Sequence, residues 1–224
     1  MHDVKIGRKI STVRVELNAA DRKGTMVPCA TALVTQSNLA MESGVTGASK
    51  IDFKDDMPRR EDCVRHAETW IMNLLPITRK LRVLIPPGGP DTRWKDRFGP
   101  GIRESWVKMD DGSALHSVLL GHLCDPILGI PILWPADHLE ALKASLAYGY
   151  PTLSMSMEIK RDPKCAEWLF VRIKTDGLLN GRYTSDVTVL NEEGELVAIA
   201  RIMGLVVKIS QGEKAGVTKI EVKL

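Results

Sequence analysis

From Thr152 the chain alternates. Thr152, Ser154, Ser156, Glu158 and Lys160 fall on one face of an extended strand, and Leu153, Met155, Met157 and Ile159 on the other. A carboxylate beside hydroxyls can activate a water molecule, so Glu158 with Ser156 and Ser154 makes a candidate hydrolytic group. The plainer reading of the same pattern is a half-buried strand whose polar face meets solvent, and it is preferred. A second acidic group, Asp110, Asp111 and Ser113, stands before Leu115, Val118, Leu119 and Leu123, which recur at helical spacing. Those acceptors suit the N-terminal cap of a helix, and a polar substrate group could sit at the same place.

Other chemistries find little support. His116 lies beside the apolar stripe and reads as a boundary residue. His116 and His122 are six apart, on different faces of a helix, and no C-x-x-C pair accompanies them, so zinc is not expected. Ser145 and Ser185 lack a G-x-S-x-G setting, and PPGGPD has glycines without G-K-S/T, so neither a serine nucleophile nor a phosphate loop is read. No cofactor is implied. Cys29, Cys63, Cys124 and Cys165 are dispersed, as in reduced and mostly buried thiols, which points to a cytoplasmic protein. Lys and Arg outnumber Asp and Glu by only 31 to 28, interspersed, which argues against nucleic acid. No apolar run is long enough to span a membrane, and the first residues have no signal-peptide character.

The elements that must position these groups come in two similar hairpins. GRKISTVRVEL at 7–17 turns and returns as VPCATALVTQ; GRYTSDVTVL at 181–190 turns through NEEG and returns as ELVAIARIMGLVV. Each reads G-R-x-x-S-x-V-x-V, a reversal and an apolar run, which suggests a duplicated architecture. Strands are expected at 152–160, 167–176, 182–190 and 195–208, after a helix from about Asp111 to Pro126 and a second helix at 136–147. Over 42–112, proline, glycine and charge interrupt the pattern. There Cys63, Ala67, Trp70, Ile71 and Leu74 suggest one helix, and KLRVLIP one strand. Trp94, Trp106, Trp134 and Trp168 read as core or interface anchors. A helix followed by antiparallel strands gives an α+β layer.

The segment EWLFVRIKTDGLLNGRYTSDVTVLNEEGELVAIARIMGLVV resembles the C-terminal half of the double hot-dog acyl-CoA thioesterases of the type II family, and the thioesterase-like proteins common in fungi. YPTLSMSMEIKR is similar to the strand that precedes it there. DVKIGRKISTVRVEL with ATALVTQSNLAMESGV resembles the end of the family's first hot dog. The resemblance implies a hot-dog fold, an antiparallel sheet wrapped around a long helix. One unit is complete at about 110–210 and part of another lies at 1–48, with a linker carrying a short helix at 49–109 and a tail at 211–224. It implies a family Asp–Gln–Thr constellation in which Ser154 stands at the Asp position, Ile202 near the Gln position and Thr175 or Asp176 at the Thr position. Glu158 and Asp176 are the carboxylates near those places. The expected function is hydrolysis of an acyl thioester such as acyl-CoA by carboxylate-activated water. The alternatives are a non-hydrolytic acyl-thioester protein, or an inactive truncated paralogue. The strands and helix expected before Asp3 are absent, so either the sequence is a shortened form or a partner chain, a homo-oligomer included, supplies that layer.

Overall fold

The NEEG turn closes as its composition predicts. Asn191 receives the backbone N–H of Glu195 on its side-chain oxygen at 2.7 Å, and Gly194 takes the left-handed φ of 82° that the reversal needs. Around such turns the chain builds antiparallel sheets. A computed structural model describes residues 1–45, 57–65, 77–86, 102–125 and 148–208. It divides into two units, Met1–Ser49 and Lys50–Leu224.

In the first unit, β1 (His2–Lys5), β2 (Ile10–Ala20) and β3 (Met26–Ser37) form a three-stranded antiparallel sheet in that order. The reversal between β2 and β3 is held by Asp21, whose carboxylate accepts the N–H groups of Lys23 and Thr25. Val13 lies opposite Val34 and Val15 opposite Ala32, so one face is apolar. Val13 is buried, while Leu17, Leu33 and Ile10 stay exposed.

The second unit holds a seven-stranded antiparallel sheet in the order β4-β5-β6-β9-β10-β11-β8. Its strands are β4 (Val64–Arg65), β5 (Leu81–Ile85), β6 (Ile102–Met109), β8 (Thr152–Ile159), β9 (Leu169–Leu179), β10 (Arg182–Leu190) and β11 (Leu196–Leu205). Two short strands, β7 (Tyr148–Gly149) and β12 (Val207–Lys208), pair with each other. Among the described residues an α-helix, α1 (Ser117–Cys124), packs on one face through Leu119, Leu120, Leu123 and Cys124. Facing it are Val107, Val171, Ile173, Val187, Ala198 and Ala200, all buried. No helix among the described residues is long and apolar enough to cross a membrane.

The four C-terminal strands lie where their alternation placed them, joined in one sheet against a helix. Several expectations change. The helix begins at Ser117 and not near Asp111, because Met109 to Gly112 close a turn after β6, with Gly112 at φ 75°. Val118 is 89% exposed while Leu120 is fully buried, so the apolar face of α1 is rotated from the stripe read in the sequence. The 49–109 stretch, read as a linker, supplies β4, β5 and β6 to the sheet; Cys63, where the expected helix would start, is extended, and Ala67, Trp70, Ile71 and Leu74 lie outside the described residues. The expected helix at 136–147, the tail at 211–224, PPGGPD, Trp94 and Trp134 lie outside the described residues. Of the thiols, Cys124 is buried but Cys29 is exposed, against the expectation of mostly buried cysteines.

The opposite face of the sheet is covered by the segment at 57–63. Trp106, Trp168, Phe170 and Leu190 pack there with Met57 and Cys63. Trp106 donates its indole N–H to the Pro58 carbonyl at 2.9 Å and lies 5.3 Å from the Phe170 ring. The Arg60 guanidinium sits 5.4 Å from the Trp168 ring centre and pairs with Glu192. Trp106 and Trp168 are therefore core anchors.

Candidate functional site

On the helix side of β10 the side chains run Tyr183, Ser185, Val187 and Val189, all buried. Ser185 lies opposite Thr175 of β9, and their hydroxyl oxygens are 2.6 Å apart. Both residues are almost wholly removed from water, at 0% and 6% exposed. The same register places Ile202 opposite Ser185 on β11 and Met155 opposite Ile202 on β8. Arg103, 8% exposed on β6, pairs with Ile173 one step along the same face. A hydroxyl pair set among Val, Ile and Met is costly to bury unless used, because two hydroxyls satisfy only one donor between them. The free O–H can donate to a carbonyl oxygen.

The end of α1 brings further polar groups toward this face. Asp125 closes the helix, and His122 precedes it by one turn. Burial raises the Asp125 carboxyl above its ordinary 3.8, an effect that His122 partly offsets. Burial likewise depresses the His122 imidazole below 6.5, opposed by the Asp125 charge. The Nε2 atom of His122 is buried and has no hydrogen-bond partner. Burial raises the Tyr183 phenol, and the Asp125 charge adds to the same direction. Burial pushes the Cys124 thiol up to about 12, so it is no nucleophile. Among the described residues, no group of three or more His, Cys, Asp or Glu is gathered to hold a metal ion.

The residues singled out in the sequence are spread over three places. Thr175 is in the buried hydroxyl pair. Asp176 follows it where β9 bulges against β10, next to Gly177 at φ 71°. Ser154, Ser156 and Glu158 lie opposite Met203, Arg201 and Ile199, on the sheet face away from α1. Glu158 pairs there with Lys160 and is exposed, as the plainer reading of the alternation implied. Asp110 bonds Arg82 at 2.8 Å in the turn after β6. Ser113 donates to Asp111 from its N–H and its hydroxyl, which lowers the Asp111 carboxyl. Neither caps α1, whose N-cap is His116 without a side-chain bond.

A family model described as the acyl-CoA thioesterase C-terminal domain matches residues 55–206. The chain belongs to that family. This thioesterase-family chain is 23% identical to the thioesterase-like protein TwmA of Talaromyces wortmannii, over 98% of the chain and 75% of TwmA. Its fold is shared with a conserved protein of unknown function with a hot-dog fold from Alicyclobacillus acidocaldarius, at TM-score 0.62 and 15% identity, covering 92% of this chain and 71% of that one. It is also shared with the acyl-CoA thioesterase II TesB2 of Mycobacterium marinum, at TM-score 0.55 and 17% identity, covering 93% and 73%. The hot-dog architecture implied by the sequence resemblance is therefore that of the thioesterase-family chain. Its matched segment contains both partners of the Thr175–Ser185 pair.

Ser185, Tyr183 and Arg103 were missed, and so was Asp125. Ser185 was set aside for lacking a nucleophile motif. The usable signal was parity: Tyr183 and Ser185 occupy the same face as Val187 and Val189, and a hydroxyl at an apolar position asks for a partner.

Proposed function

We propose that the protein hydrolyses an acyl thioester, with acyl-CoA as the substrate class. The observation that carries this reading is the buried Thr175–Ser185 hydroxyl pair, lying on the helix side of the sheet within the span matched by the thioesterase family. The thioester carbonyl oxygen would accept the hydrogen bond that the pair does not use internally, and would keep it as charge develops on oxygen. Water attacks the carbonyl carbon, the C–S bond breaks, and a carboxylic acid and a thiol leave.

The finer assignments rest on the same reading. Thr175 takes part in carbonyl binding, and Asp176 and Glu158 are the carboxylates proposed from sequence as base. The outward position of Glu158 and its pairing with Lys160 favour Asp176 of those two. Ser154 and Ser156 border the exposed strand, and Asp110 and Ser113 the turn after β6, where they could touch the polar part of a long substrate. We also propose that residues 1–48 are the end of a second hot-dog unit, supported by the matching G-R-x-x-S-x-V-x-V hairpins and by the shared valine-rich face.

Thiol release from a series of acyl-CoA substrates tests the function. The parent should turn over at least one chain length, and Thr175→Val should lower turnover about 10²–10³-fold, the usual worth of an oxyanion donor. Acyl-CoA binding without thiol release from any substrate would place the protein in the non-hydrolytic class instead.

A further inference from the structure

On the sheet face away from α1, the end of the β9–β10 hairpin opens into a groove of about 370 Å³. Its lining is Gly177, Leu178, Leu179, Arg182, Thr184 and Met203. The register brings these residues together. Leu179 lies opposite Arg182 across β9 and β10, and Met203 opposite Thr184 across β10 and β11, so each pair shares that outer face. Between Thr175 and Leu178 the register shifts, and the bulge bends β9 relative to β10 at this point. Gly177, at φ 71°, keeps the space open, for nothing lies within 4 Å of where its Cβ would stand.

The lining is apolar apart from one cation and one hydroxyl. Leu178, Leu179 and Met203 are 40%, 74% and 39% exposed, a contiguous apolar surface facing water. Neighbouring arginines of the same face are taken up, Arg172 by Glu104 and Arg201 by Asp186. Among the described residues Arg182 has no carboxylate partner, and the Thr184 hydroxyl has no hydrogen-bond partner. A guanidinium presents a planar fork that fits both oxygens of a carboxylate, and a hydroxyl beside it can donate to one of them. The volume falls in the lower part of the range found for small-molecule sites.

We infer that this groove binds a medium-chain fatty acid as its carboxylate. Arg182 and Thr184 hold the head, and Leu178, Leu179 and Met203 line the chain. One guanidinium balances one negative charge. A phosphate would bring close to two, beside Asp186, which stands two residues beyond Thr184 on the same face. The groove is distinct from the Thr175–Ser185 pair, because Thr184 and Ser185 project from opposite faces of β10. The inference goes beyond the hydrolase reading and does not depend on it, since a chain without turnover would bind the acid equally well.

Titration calorimetry of the full chain with octanoate and octanol tests the assignment, with free CoA as a third probe. The parent should bind octanoate at least about tenfold more tightly than octanol, the usual worth of hydrogen bonds to a charged group. Arg182→Gln should abolish that preference and leave octanol unchanged. Thr184→Val should weaken octanoate a few-fold, and Met203→Ser should weaken both probes a few-fold. Added salt should weaken octanoate and spare octanol. Unchanged octanoate affinity in Arg182→Gln overturns the inference and leaves the hydrolase reading standing. Arg182→Gln weakening free CoA as much as octanoate assigns the cation to a phosphate and overturns the carboxylate. Should that variant misfold, a parent that binds octanoate no better than octanol overturns the inference on its own.

Discussion

Two hydroxyls that bond each other inside an apolar wall are stable together and awkward apart. Thr175→Val or Ser185→Ala alone strands the remaining buried group and is expected to cost about 1–3 kcal/mol in urea unfolding. The double variant should cost less than the sum, because it leaves no orphan; strict additivity would mean that the pair is not coupled. Asp125 behaves in the opposite sense. Its folded pKa is raised above the unfolded value, so the native state binds the proton more tightly and stability falls as pH rises from 3.8 through the folded pKa. Asp125→Asn should therefore raise Tm at pH 7–8, with the gap over the parent closing as the pH is lowered toward 4. A lower Tm at pH 7 would show that the charged form is stabilised by its surroundings. Cys124, with its thiol pushed up to about 12, should resist alkylation at pH 8 in the native protein while exposed Cys29 reacts, as mass-spectrometric mapping would show.

Elements fit this fold through close approaches as much as through alternation. Gly204 on β11 lies opposite Tyr183, and a Cβ there would come within 2.4 Å of the phenol carbon and oxygen. Gly204→Ala should destabilise by about 1–3 kcal/mol, and Tyr183→Leu in the same chain should recover part of that loss. The recovery, read by denaturant melts of both variants, distinguishes ring contact from a general weakness of the strand. The same scale shows what sequence could tell. Strands β8 and β10 were legible because they alternate, and β9 and β11 because their apolar runs are bounded by turn residues. Strand β6, IRESWVKM, was not, since Arg103 occupies the apolar parity and Glu104 is buried by its bond to Arg172, a partner 68 residues away. The start of α1 was misread because Asp111 satisfies Ser113 within a turn, a use of capping residues that local pattern cannot separate from a cap. At the site, Thr175 came from family resemblance and Ser185 was discarded, because pairing across a sheet is invisible to motif matching.

Across the whole molecule the buried clusters belong to one unit. Every residue of both hydrophobic clusters lies between Met57 and Ile202, whereas Val13 is the buried apolar side chain of the first unit. A chain beginning at Lys50 is expected to melt cooperatively by circular dichroism, with the buried tryptophans still blue-shifted in emission. A broad, non-cooperative melt would mean that residues 1–49 complete the core of the second unit. The pH dependence of the full chain should also carry the His122 signature. Its folded pKa is depressed, so its contribution is whole above 6.5 and is lost as pH falls through the folded value; His122→Gln should remove that component.

Strand β8 closes one edge of the sheet with Met155 and Met157 turned toward the helix side, each 38% exposed. Thioethers so placed are reachable by peroxide, and a sulfoxide oxygen cannot be accommodated against Ala200 and Ile202 as the thioether is. Ageing of the purified protein should then begin at this edge. Mass gains of one oxygen on the 152–160 peptide would precede loss of cooperative unfolding, and methionine sulfoxide reductase treatment would reverse both.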